Sequence, residues 1–215
     1  MRIKKFLFYL LAGLLGGCLP VMSLHPLYTK EDVVFDEKLT GIWVDDSENT
    51  WEFRGVDKPG KAYELIYTDN ESNKGSFVAH LAKLESRLFL DLYPSEFPCG
   101  EMEDPNKVAW PYNMFFFVPA HMFIKINSIE PQLRMQSMDN DDFKKLLEEN
   151  PNAIKHEIVK DYDGEIVLTA STKELQAFVL KYANDNRVFS EETVLSRKTP
   201  KGPDEPNDID SSEDQ

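Results

Sequence analysis

The side chains that could do chemistry are two thiols, four imidazoles and a surplus of carboxylates. His25, His80, His121 and His156 fall on four separate segments, with neither the i, i+4 nor the Cys/His spacing that brings ligands onto one metal. They read as isolated histidines, exposed or hydrogen-bonded, and no metal set is assigned. Cys99 lies in Phe97-Pro98-Cys99-Gly100 with no base nearby to generate a thiolate, so it reads as a structural or exposed thiol and not as a nucleophile. Gly-x-Ser-x-Gly, phosphate-cradling loops and dinucleotide fingerprints are absent from the sequence. Carboxylates are so common that any pair named as acid and base would be arbitrary. No catalytic residue and no cofactor follow, and the expectation is that the chain is not an enzyme.

The chain has 215 residues, with 38 acidic against 24 basic side chains and a formal charge of -14. Such a surface repels a polyanion, which excludes nucleic acid as a partner. Hydrophobic residues make up 41% and aromatics 12%, enough for a core and too much for a wholly disordered chain. One folded domain is expected.

Residues 1–17 have the pattern of an export signal. Arg2, Lys4 and Lys5 precede the apolar stretch Phe6 to Leu15, which at 1.5 Å per residue is too short to cross a hydrocarbon layer of ~30 Å. Leu15-Gly16-Gly17-Cys18 then resembles the lipobox of bacterial lipoproteins. That resemblance implies that Cys18 is diacylglycerylated and becomes the first mature residue, with the membrane as partner through its acyl chains. Each buried methylene contributes ~0.8 kcal/mol, so two or three chains anchor a protein permanently. Cleavage removes three positive charges and no negative ones, taking the formal charge from -14 to -17, so lipid and not electrostatics would hold the domain at the surface. Leu19 follows the cysteine where an Asp would resemble an inner-membrane retention signal; the outer membrane of the cell envelope is the expected site. Cys99 would then be the one remaining thiol, which leaves no intramolecular disulfide.

Residues 18–35 read as the lipidated cysteine and an extended tether, 36–198 as the folded domain, and the acidic, proline-containing segment 199–215 as a disordered tail. Within the domain, period-two alternation predicts strands over 41–44, 50–53, 63–67, 77–81, 88–93, 114–126, 132–138 and 193–198, with a long excursion over 94–113. Asp163-Gly164 predicts a further hairpin between 156–162 and 165–169. Phe115-Phe116-Phe117-Val118 reads as a buried strand, apolar on both sides because a barrel wall lies beneath a helix. Asp139 caps one predicted helix, and Ser171 with Glu174 forms a capping box before the stripe Leu175, Phe178, Val179 and Tyr182.

Eight or nine successive antiparallel strands with a late packing helix predict a mainly β, up-and-down barrel, because closure removes the exposed edges of a meander; a β-sandwich is the alternative. Gly41-Ile42-Trp43 resembles the Gly-x-Trp motif of the lipocalins and the wider calycin superfamily. The resemblance implies that Trp43 closes one barrel end and that Arg197 stacks on it. The segment Ser23 to Trp51, with His25-Pro26-Leu27-Tyr28 and Thr50-Trp51, also resembles a group of uncharacterised bacterial lipoproteins, which implies no activity. The leading functional expectation is a lipid-anchored, lipocalin-like binder whose interior, lined by Tyr63, Leu65, Phe77, Leu88, Leu90 and Met122, holds a small apolar ligand. The alternative is a non-catalytic envelope scaffold or partner-binding lipoprotein. Oligomeric state is not legible. Replacing the thiol in Cys18→Ser is expected to block processing and detergent-phase partitioning, read by precursor mass and fractionation.

Overall fold

The computed structural model describes residues 20–56, 61–95, 118–159, 165–189 and 191–198. Cys18, Cys99, Phe115 to Phe117 and the acidic tail lie outside the described residues, as does the Asp163-Gly164 turn. Two short strands, β1 (Met22–Ser23) and β2 (Val33–Val34), precede a meander of seven. These are β3 (Gly41–Val44), β4 (Thr50–Gly55), β5 (Ala62–Thr68), β6 (Lys74–Leu84), β7 (Arg87–Pro94), β8 (His121–Ser128) and β9 (Leu133–Ser137). After an excursion containing α1 (Asn140–Glu149), β10 (His156–Val159), β11 (Glu165–Leu168) and α2 (Thr172–Lys181), the chain returns as β12 (Thr193–Arg197). β12 inserts antiparallel between β3 and β9, and β9 pairs with β8. The result is a closed eight-stranded antiparallel barrel of lipocalin-like, up-and-down type, carrying two α-helices among the described residues.

Side-chain alternation selects the barrel's inside. Trp51 and Phe53 on β4, Tyr63, Leu65 and Tyr67 on β5, Ala79 and Leu81 on β6, and Leu90 and Leu92 on β7 share one apolar cluster. The odd positions of β7 and β8 are buried too, because the helices cover that wall from outside: Phe89 and Phe123 belong to a second cluster with Phe143 of α1, Phe178 of α2 and Phe189. Double-sided burial, which the sequence suggested for 115–118, is thus seen on β7 and β8. Lys125 is the cation of this outer layer; its Nζ donates to the carbonyl of Ala183 at 2.7 Å and stands 5.2 Å from the Phe189 ring. Burial first, and the Arg87 charge second, lower its affinity for a proton.

Three features differ from the sequence reading. Residues 20–35 are not an extended tether: Val21 and Leu27 are buried, β1 pairs with β8 and β11, and β2 pairs with β6. The folded unit therefore begins upstream of Asp36. The hairpin β10–β11 stands outside the barrel, joined to β8 through β1, which runs parallel to β11. The strand predicted over 114–126 occupies His121–Ser128.

Both helices start on side-chain caps. Asp139 accepts from the N–H groups of Asp141 and Asp142, and the Glu174 carboxylate accepts from the Ser171 N–H at 2.9 Å and hydroxyl at 2.7 Å. Phe178 packs α2 against α1, its ring 5.6 Å from Phe143, and lies 4.7 Å from Tyr182 at its own helix's C-terminus. Truncation in Phe178→Ala is expected to cost about 3–5 kcal/mol, measured as a lower urea midpoint at unchanged slope.

Candidate functional site

The barrel has two unlike ends. One carries the β4–β5, β6–β7 and β8–β9 connections and is plugged by the 3₁₀ turn Glu37–Leu39, whose Leu39 is fully buried. There Trp43 projects inward from β3 and its indole N–H donates to the Leu39 carbonyl at 2.9 Å. Arg197 is the register partner of Trp43 on β12, and its guanidinium carbon lies 4.1 Å from the indole centroid. Its Nη1 donates to Thr40 O at 2.8 Å and its Nη2 to Lys38 O at 2.5 Å. A planar fork can stack and bond two carbonyls at once; an ammonium cannot. Gly41 makes room for it: its φ is 120°, and a Cβ there would stand 2.7 Å from Arg197 Nη1.

All six residues expected to line a ligand space face this interior. Tyr63, Leu65 and Leu90 are wholly inaccessible to solvent, Met122 is 9% exposed, and Phe77 and Leu88 are half-buried. Zero accessibility means that no water-sized void touches Tyr63, Leu65 or Leu90. Tyr63 has a structural task instead: its hydroxyl accepts from the Asp36 N–H at 2.7 Å and donates to the Asp36 carbonyl at 3.0 Å, while its ring stacks on Phe35 at 4.6 Å. Burial pushes that hydroxyl's pKa up to about 12. Leu88 sits beside the β6–β7 turn at the plugged end. Phe77 and Met122 lie toward the other end.

That other end carries the β3–β4, β5–β6 and β7–β8 connections, and the sequence reading missed what it holds. Trp51, which is also the register partner of Trp43, meets Tyr67 of β5 edge to face at 5.2 Å, and the two are 1% and 3% exposed. Neither the Trp51 indole N–H nor the Tyr67 hydroxyl has a hydrogen-bond partner among the described residues. A buried polar group left unpaired costs about 1–3 kcal/mol. The Tyr67 hydroxyl faces the carboxylates of Asp45 and Asp69 in the two neighbouring loops; burial first, then those charges, raise its pKa. Sequence alternation points both side chains inward, but whether their polar atoms find partners depends on neighbours distant in sequence.

The histidines do not converge on a metal, and no group of three or more His, Cys, Asp or Glu able to hold an ion occurs among the described residues. His121 does have a specific partner, the fully buried Asp91, with Nδ1 2.6 Å from Oδ1. His80 stacks on Tyr28, His156 Nδ1 lies 2.9 Å from the Ile154 carbonyl, and His25 is exposed. An open surface hollow of about 560 Å³ is lined by Gln136, Asp142, Asn186, Glu191 and Glu192, a polar and acidic set unsuited to an apolar molecule. No helix among the described residues is long and apolar enough to cross a membrane.

Removing the stack in Arg197→Ala is expected to cost about 1–2 kcal/mol, the packing of the aliphatic stem included. Arg197→Lys should recover little of that loss, since it restores charge without the planar face; thermal unfolding of the three proteins checks both. No family model, no curated protein and no solved structure matches this chain.

Proposed function

We propose that the protein is a lipid-anchored lipoprotein of the cell envelope, held by an acylated Cys18, whose barrel binds a small and largely apolar ligand at the end beside Trp51 and Tyr67. The observation that carries this reading is the pair of buried, unpartnered hydrogen-bonding groups in an otherwise apolar barrel. The Trp51 N–H and the Tyr67 hydroxyl are themselves closed to solvent, so a ligand with one polar group would enter by displacing side chains around Phe77, Leu92 and Met122, and would then find both groups between apolar walls. The six residues first expected to line the space would divide accordingly. Phe77 and Met122 face the ligand, while Tyr63, Leu65, Leu88 and Leu90 form the floor.

The second reading, a non-catalytic scaffold that works through its surface, is favoured by the tight filling of the barrel interior, where Trp43, Leu39, Leu65 and Leu133 are all inaccessible to solvent. The two separate on one variant. Tyr67→Phe keeps the ring and deletes the unpaired hydroxyl. It is expected to leave the free protein as stable as before, or about 1 kcal/mol more stable, while weakening ligand about tenfold. Native mass spectrometry and thermal shift with envelope lipid extracts provide both readouts. Silence of both against the unaltered protein would remove the ligand reading and leave the scaffold.

A further inference from the structure

The geometry points to residues 24–32 being a strap that is docked on the outer wall of the barrel near neutral pH and released from it on acidification. This inference is independent of what the interior holds.

The strap crosses β8, β7 and β6 on its way from β1 to β2. Its attachment is mostly polar. The Leu24 N–H donates to Leu168 O at 3.0 Å, and the Lys83 N–H donates to Asp32 O at 2.9 Å. From α2, the Thr172 hydroxyl donates to Pro26 O at 2.8 Å, and the Gln176 amide donates to Leu27 O at 2.9 Å and to the Asp32 carboxylate at 2.8 Å. Between Leu24 and Asp32 only Leu27 is buried, so little apolar area holds this stretch down. The centre of the attachment is Asp91 of β7, a fully buried carboxylate. Its Oδ2 accepts the Leu27 N–H at 2.7 Å and its Oδ1 meets His121 Nδ1. Beside it, the Tyr28 ring lies 4.4 Å above His80 of β6, nearly parallel at 28°. Tyr93 packs against His121 at 4.7 Å.

The ionisable groups facing this contact are Tyr28 and Asp32 from the strap, His80 from β6, Asp91 and Tyr93 from β7, His121 from β8, and Lys61 next to the register partner of His80, whose ammonium donates to Val33 O at 3.1 Å; α2 contributes the uncharged Thr172 and Gln176. Burial holds His80 below its ordinary pKa, and His121 adds to that effect while Asp91 opposes it. Lifting Tyr28 away exposes His80, which then takes a proton at its ordinary value near ~6.5. A histidine with a depressed pKa in the docked state favours docking fully above that value. The advantage shrinks as pH falls below it, until the docked imidazole is protonated as well.

Hydrogen exchange of the full chain in detergent micelles tests this, with protection factors corrected for the intrinsic pH dependence of exchange. Between pH 7.5 and pH 5.5 the segment 24–32 should lose protection by up to about tenfold, the ceiling for one histidine of released pKa near ~6.5, while β4 and β5 keep theirs. His80→Phe keeps an aromatic partner for Tyr28 and removes the titration, so its strap should stay docked across the range. Asp91→Asn should loosen the strap at both pH values. The inference is overturned if the strap stays protected at pH 5.5, if it loses protection in step with the barrel strands, or if His80→Phe retains the full pH response.

Discussion

The edge of β8 is divided between two partners, and the rest of the architecture depends on that division. β9 closes the barrel against the second half of β8, from Ile124 to Ser128, and then turns away into α1. The first half, His121 and Met122, would be left with unpaired backbone groups. β1 occupies that place, and in doing so presents its own outer edge, which β11 and β10 extend. The hairpin outside the barrel, the parallel pairing and the docking of the N-terminal segment therefore have a common origin. A similar substitution occurs on β6, where β2 takes over beside Leu81 and Ala82 just after β5 has ended at the level of His80.

This explains which parts of the fold were legible in the amino-acid order. The meander from β3 to β9 is written in local alternation, since each strand has one buried and one wetter face, as in the Tyr63, Leu65, Tyr67 series. The Trp43–Arg197 pairing was legible only through a resemblance, because nothing local to Arg197 indicates a partner more than 150 residues away. The docking of residues 20–34 was not legible. Val21, Leu27 and Val33 are six residues apart, too sparse to make a sustained alternation, and their burial is set by the β8 edge, the β6 edge and Asp91. Asp91 and His121 are 30 residues apart and join only through strand register, so spacing rules for paired functional groups pass over them.

The candidate site shows the same distinction. That Tyr63, Leu65, Phe77, Leu88, Leu90 and Met122 share an interior follows from parity along each strand. How deep the interior is filled does not, because it depends on how Trp43, Leu39 and the Tyr63 ring stack in three dimensions. The polarity of the space is likewise a matter of partners. Tyr63 and Tyr67 are four residues, or two periods of alternation, apart on one strand, yet one hydroxyl is bonded twice to Asp36 and the other has no partner among the described residues. Residue type alone treats them as equivalent.

The position of β12 has a consequence for how the molecule is made. The four residues of β3 appear early in synthesis, but their outer edge and that of β9 must wait for a strand ending at Arg197. Closure thus requires ordering a very long loop, whose entropy opposes it and whose contacts are almost all non-local, so the final step of folding should be slow relative to hairpin formation. During that interval two complementary strand edges lie open in an incomplete sheet, ready to pair with another chain. A chain of this design spends its vulnerable period at the end of its biogenesis, and truncation before Thr193 would make that period permanent.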